Sequence, residues 1–213
     1  IYFNLVGEYP ATYSVTPRVT LTDNVFDEGQ ESFKIKALGS TYYYHKMGGG
    51  FSSWFDANGN DWIAYNPTPG SEAGGEFRGI PNMVYVNDGY SNSHFHPGFT
   101  NSRSTIVSQG PLRVKIRTIS NERKWESTWD IYPSYATMTL LRKDTNNYWF
   151  LYEGTPGGSI ETGTDFVVRS NGVQTPLSET WSSDIPTNEW AYFGDPNIGR
   201  SLYVAKHEDD TIE

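Results

Sequence analysis

Apolar and polar positions alternate with a period of two through much of this chain, and no segment sustains the 3.6-residue period of an amphipathic helix. The clearest case begins at residue 112. Leu112, Val114, Ile116 and Thr118 fall on one face, while Arg113, Lys115 and Arg117 fall on the other. After Asn121-Glu122 the alternation resumes, with Trp125, Ser127, Trp129 and Ile131 opposed to Lys124, Glu126, Thr128 and Asp130. The pattern predicts a hairpin that sets Arg117 against Glu126 and Arg113 against Asp130, keeping the apolar residues together.

The same reading predicts strands at residues 32–37, 41–46, 51–55, 61–65, 83–86, 112–120, 123–132, 135–142, 148–153, 165–169, 189–193 and 201–206. Residues 16–22 read as an edge strand. Candidate helices are broken within two turns by β-branched residues, Gly or Pro. Asn58-Gly59 marks a hairpin turn, because a type I′ turn needs positive φ at both central positions. Short strands separated by turn chemistry predict an all-β fold, an antiparallel β-sandwich of supersandwich or jelly-roll type. Residues 1–30, with Pro10, Pro17 and two acidic turns, read as a lead-in segment or the tail of a preceding module. Residues 31–213 read as a single sandwich domain, expected to continue past Glu213, just as a leader or upstream segment is expected before Ile1.

Composition narrows the function classes. Aromatic residues make up 15% of the 213 residues and charged residues 19%, which suits a packed β domain rather than a disordered chain. A formal net charge of −9 with no basic tail argues against nucleic acid as a partner. No apolar run approaches the roughly 20 residues that span a bilayer, so membrane insertion is not expected. The absence of cysteine removes disulfides, thiolate metal sites and cysteine nucleophiles together. It is compatible with bacterial-type export to the cell surface or medium, the expected location. No cofactor and no metal are expected. Self-association or flanking domains remain open.

Two stretches rich in Gly, Pro, Asn and Ser, residues 66–79 and 87–104, read as long loops, where binding and catalysis concentrate on β scaffolds. Around them lie three short motifs. Residues 48–63 read Gly-Gly-Gly-Phe-Ser-Ser-Trp-Phe-Asp-Ala-Asn-Gly-Asn-Asp-Trp-Ile, followed by Arg78-Gly79-Ile80-Pro81-Asn82 and by Phe95-His96-Pro97-Gly98-Phe99. Together they resemble the galactose-mutarotase-like β-sandwiches, an architecture shared with epimerases, glycosidase domains and polysaccharide lyases. The likeness covers residues 41–153. The catalytic glutamate that mutarotases carry late in the fold has no match here. The resemblance therefore implies a sandwich, and the expected function is action on an extracellular acidic polysaccharide by proton abstraction and β-elimination rather than mutarotation.

Candidate chemistry follows from residue types. A uronate lyase must neutralise the substrate carboxylate before removing the neighbouring C–H proton. Arg78 offers a planar fork for the carboxylate, and Asn82 an amide for the developing anion. His94 and His96, two apart on an extended backbone, are candidate bases, and Tyr90 is a candidate acid. Tyr65, Tyr85 and Trp54 are candidate substrate-binding rings. Each has a plainer reading: a loop arginine commonly makes a salt bridge, and a histidine under a loop is commonly structural. His45 reads as structural, and His207 as part of a solvated acidic end. Trp125, Trp129, Trp149 and Phe150 are expected in the core. Asp56-x-Asn58-x-Asn60 lacks the distal Glu of a calcium loop and reads as a hairpin turn. Two functions of other classes stay open: a non-catalytic carbohydrate-binding or structural surface or fibre domain, and a glycoside hydrolase, whose paired carboxylates would stand roughly 5–10 Å apart.

Overall fold

The structure, a computed structural model, describes residues 16–66, 79–85, 95–145, 148–182, 184–185 and 188–208. It is an all-β sandwich built from three antiparallel sheets, and the only helical piece among the described residues is a single 3-10 turn at Pro156–Gly158. The first sheet has six strands. β1 (Thr20–Asp27), β2 (Gln30–Ala37), β3 (Ser40–His45) and β4 (Gly50–Asp56) follow one another as a meander. β5 (Gly79–Tyr85) lies next to β4, and its far side is paired by β10 (Tyr148–Glu153), which returns from 63 residues further along, with Tyr148 opposite Tyr85. The second sheet is the meander β6 (Ser102–Gly110), β7 (Arg113–Ser120), β8 (Glu126–Ile131) and β9 (Ala136–Arg142). The third, in the order β12-β11-β13-β14, comprises β11 (Phe166–Arg169), β12 (Gln174–Pro176), β13 (Trp190–Asp195) and β14 (Arg200–Ala205).

The first two sheets bury one core between them. Phe33 and Ile35 from β2, Tyr42 and Tyr44 from β3 and Phe51 from β4 meet Val114 and Ile116 from β7 and Trp129 and Ile131 from β8. Phe51 and Trp129 make an edge-to-face pair across the gap, with ring centroids 4.8 Å apart. A buried hydroxyl chain links the sheets as well. The Lys46 carbonyl can only accept, so Ser104 donates to it at 2.6 Å. Ser104 has then used its one proton, so Thr118 donates to Ser104 and Tyr44 to Thr118, each at 2.7 Å.

A bulge decides which rings enter this core. Tyr43 pairs with Ser53 but Tyr44 with Phe51, so Ser52 is an extra residue in β4. Without it Phe51 and Trp54 would point to opposite faces; with it both turn inward, and Trp54 packs on Tyr42 at 4.8 Å. The predicted strand at 61–65 is absent. The Asp61 carboxylate instead accepts the backbone N–H groups of Trp54 and Ile63, bending the chain after one isolated bridge from Phe55 to Asp61. The Asp56 carboxylate closes the Asn58-Gly59 turn by accepting from the backbones of Asn58 and Asn60.

The hairpin of β7 and β8 forms with its buried face as predicted, but its register is shifted by two residues. Lys115, not Arg113, lies opposite Asp130, and Thr128, not Glu126, lies opposite Arg117. The cause is a four-residue turn at residues 121–124, closed by Ser120 N–H on the Trp125 carbonyl, in which Arg123 takes φ +59°. An even shift preserves which face each residue occupies. The expected ion pairs therefore form along diagonals, Arg117 to Glu126 at 2.6 Å and Arg113 to Asp130 at 3.5 Å. Two further corrections concern edges. The edge strand expected at 16–22 is β1, Thr20–Asp27. Trp149 and Phe150, expected in the core, are 46% and 40% exposed; among the described residues β10 is the last strand of its sheet.

Candidate functional site

The two long loops of the sequence reading meet the structure unequally. Arg78, Tyr90 and His94 lie outside the described residues, as do the side chains of Tyr85 and Val84. Asn82 is in β5, not in a loop; its side chain is buried, and among the described residues its Oδ1 has no hydrogen-bond partner. His96 is sealed at 1% exposure. Its ring stacks on Phe99 at 4.0 Å, and its Nδ1–H donates to the Pro97 carbonyl at 2.8 Å. A histidine so enclosed holds its loop in place.

The seat for that loop is the triple glycine. His96 N–H donates to the Gly48 carbonyl at 2.7 Å. A Cβ on Gly48 would stand 2.7 Å from the His96 carbonyl oxygen and 2.8 Å from Pro97 Cα. Only glycine admits so close an approach. His45 completes the seat: its Nδ1 accepts the Gly98 N–H at 3.0 Å, and burial lowers its pKa to about 4, so the ring is neutral. Trp54 belongs to the aromatic core, and Tyr65 packs half-buried against the same core. Among the described candidates, Asn82, His96, Trp54 and Tyr65 converge on packing rather than on an open groove.

Among the described residues, an aromatic cluster reaches solvent on the third sheet. Its inner face turns Val167, Phe193 and Leu202 toward the body, and Phe193 meets Tyr152 of β10 at 5.0 Å. By alternation, Trp190 and Tyr192 of β13, Tyr203 of β14 and Phe166 of β11 stand together on the outer face, Tyr192 directly opposite Tyr203. Trp190 and Tyr192 are parallel to within 8° at 6.1 Å, and Tyr203 lies 5.9 Å from Trp190. Tyr203 is 59% exposed, and the other three rings are half-buried.

Glycine again sets the geometry. A Cβ on Gly194 would stand 2.6 Å from Phe166 Cζ, so the Phe166 ring lies down over the bare backbone of β13. The result is an aromatic face in which Phe166 stands edge-on to Tyr192, at 84° and 6.2 Å, with Ser201 and Gln174 on the same side. Its signal in the sequence was the spacing Trp190-x-Tyr192-x-Gly194, whose period of two puts two rings and a gap on one face; the partner rings Phe166 and Tyr203 come from strands whose pairing sequence alone does not reveal.

Comparison with known proteins finds no matching protein-family model, no matching curated protein and no matching solved structure.

Proposed function

We propose that this is a carbohydrate-binding domain whose sugar platform is the outer face of the third sheet. The observation that carries the reading is the cluster of Phe166, Trp190, Tyr192 and Tyr203 on one solvent-facing sheet surface. A pyranose ring presents axial C–H groups on its faces and hydroxyls around its edge. The C–H face loses little water when it stacks on an aromatic ring, while the hydroxyls stay hydrated or reach polar rim groups. Tyrosine hydroxyls at the platform edge add donors and acceptors without a charged group in the centre.

Of the acid–base set, the two described members favour binding over β-elimination, since His96 is enclosed and Asn82 lies within the sheet. The test is direct. Isothermal titration against neutral and acidic oligosaccharides is paired with ultraviolet detection of unsaturated uronate ends. The reading expects saturable binding to at least one glycan, no unsaturated product, and about a tenfold loss of affinity in Trp190→Ala, equivalent to about 1.4 kcal/mol. Appearance of unsaturated ends would replace it with the lyase reading. Glycan affinity unchanged in both Trp190→Ala and Tyr203→Ala would remove the platform.

A further inference from the structure

The outer face of the second sheet carries the opposite chemistry. Strand alternation brings Arg103 of β6, Arg113, Lys115 and Arg117 of β7 and Arg142 of β9 onto it, with Glu126 and Asp130 of β8 among them. Five cations against two carboxylates make this a positive surface on a protein whose net charge is −9.

Most of these charges are paired. Lys115 and Arg113 share Asp130, at 3.0 and 3.5 Å. Glu126, nearly buried, accepts from Arg117 on one oxygen at 2.6 Å and from Arg142 on the other at 3.1 Å. Two arginines differ. Arg103 and Arg123 are exposed, and among the described residues no ion pair or hydrogen bond engages either guanidinium.

Both border one depression of about 490 Å³, whose remaining lining is Arg117, Thr105, Ile119, Ser120 and Asn121. Hydrogen bonds tie the wall down. The turn that presents Arg123 is closed by its own N–H on the Ser120 carbonyl, and Arg142 donates to the Arg123 carbonyl at 2.8 Å. Asn121 ties the same turn to the approach of β6, donating its N–H to the Asn101 carbonyl at 2.7 Å and its side-chain amide to the Thr100 carbonyl at 3.1 Å.

We infer that this depression is an anion subsite that takes a carboxylate or sulfate group of an acidic glycan. The inference rests on the carbohydrate-binding reading and supplies its ligand class. Two unpaired guanidinium forks match the oxygens of a carboxylate or sulfate, and Thr105 and Asn121 offer neutral polar groups beside them. Ile119 gives the floor an apolar patch that suits the C–H face of a sugar. A single-stranded nucleic acid fits less well, because the lining holds no aromatic ring on which a base could stack.

The experiment compares each charged glycan with its own neutralised backbone. Oligogalacturonate is set against its carboxyl-reduced form, and a sulfated galactan oligosaccharide against its desulfated form, with the wild type, Arg103→Ala/Arg123→Ala and Trp190→Ala. The expected result is a charged form bound at least roughly tenfold tighter than its neutral form by the wild type, and equal binding of the two by the double arginine variant. Which pair shows the preference tells carboxylate from sulfate. Trp190→Ala keeps the preference. A preference that survives in the double arginine variant, or no preference in the wild type, overturns the subsite while leaving the aromatic platform standing. Should no glycan bind, titration with inorganic sulfate followed at the arginine Nε–H resonances separates the two ideas. Saturable shifts confined to Arg103 and Arg123 keep the anion subsite, and their absence removes it. Tighter binding of an oligonucleotide than of any glycan, lost in the double arginine variant, would overturn the glycan as occupant.

Discussion

Acid should weaken this protein through one buried ring. His45 is 3% exposed, its Nδ1 accepts the Gly98 N–H, and desolvation lowers its pKa from the usual 6.5 to about 4. A folded-state value below the unfolded one means that the unfolded chain binds more protons between the two. Stability contributed by neutral His45 is therefore complete above pH 6.5 and falls as the pH drops through the window from 6.5 to about 4. Lowering the value from 6.5 to about 4 amounts to about 3 kcal/mol across that window. Protonation would also place a donor where the Gly98 N–H needs an acceptor, so the loop carrying His96 would lift from Gly48.

Carboxylates raised by burial, such as Asp27 and Asp165, act in the opposite sense near the bottom of the window and must be separated from it. His45→Asn does this, because the amide oxygen can accept the Gly98 N–H yet does not titrate. Urea unfolding at intervals from pH 7.5 to 4 should show the wild type losing about 3 kcal/mol relative to the variant. The His45 ring proton resonance in the folded protein should stay unshifted down to about pH 5. Parallel stability curves for the two proteins, or a ring that titrates near 6.5 while folded, would refute the argument.

Other outcomes are equally open to measurement. Thr118→Val removes the middle of the Tyr44–Thr118–Ser104 hydroxyl chain and should cost about 2–4 kcal/mol by urea unfolding, since two bonds are lost and a buried phenol is stranded. Trp129→Ala deletes the ring that meets Phe51 across the sandwich and should cost about 3–5 kcal/mol in the same assay. Gly194→Ala forces Phe166 off the β13 backbone; titration calorimetry should find weaker glycan binding, with a stability loss of about 1–3 kcal/mol from overpacking.

The period-two pattern determined that this chain forms sheets, and it assigned the faces of the β7–β8 hairpin correctly, because side-chain alternation is a property of the extended backbone itself. It also marked Trp125 and Trp129 as buried. The exposed Trp149 and Phe150 escaped it, since an edge strand and a central strand can have the same local pattern and differ only in what pairs with them. Nor could alternation find the Ser52 bulge, which turns Phe51 and Trp54 to one side, or the four-residue turn that moved the hairpin register by two. The motifs around His96 were visible as residues, but their role depended on a contact with Gly48 from nearly fifty positions earlier. The two candidate surfaces have the same origin. Phe166, Trp190 and Tyr203 come from three strands, and Arg103 and Arg123 from a strand and a distant turn. Local sequence specifies the direction of each side chain along its own strand; only the pairing of strands decides which side chains become neighbours.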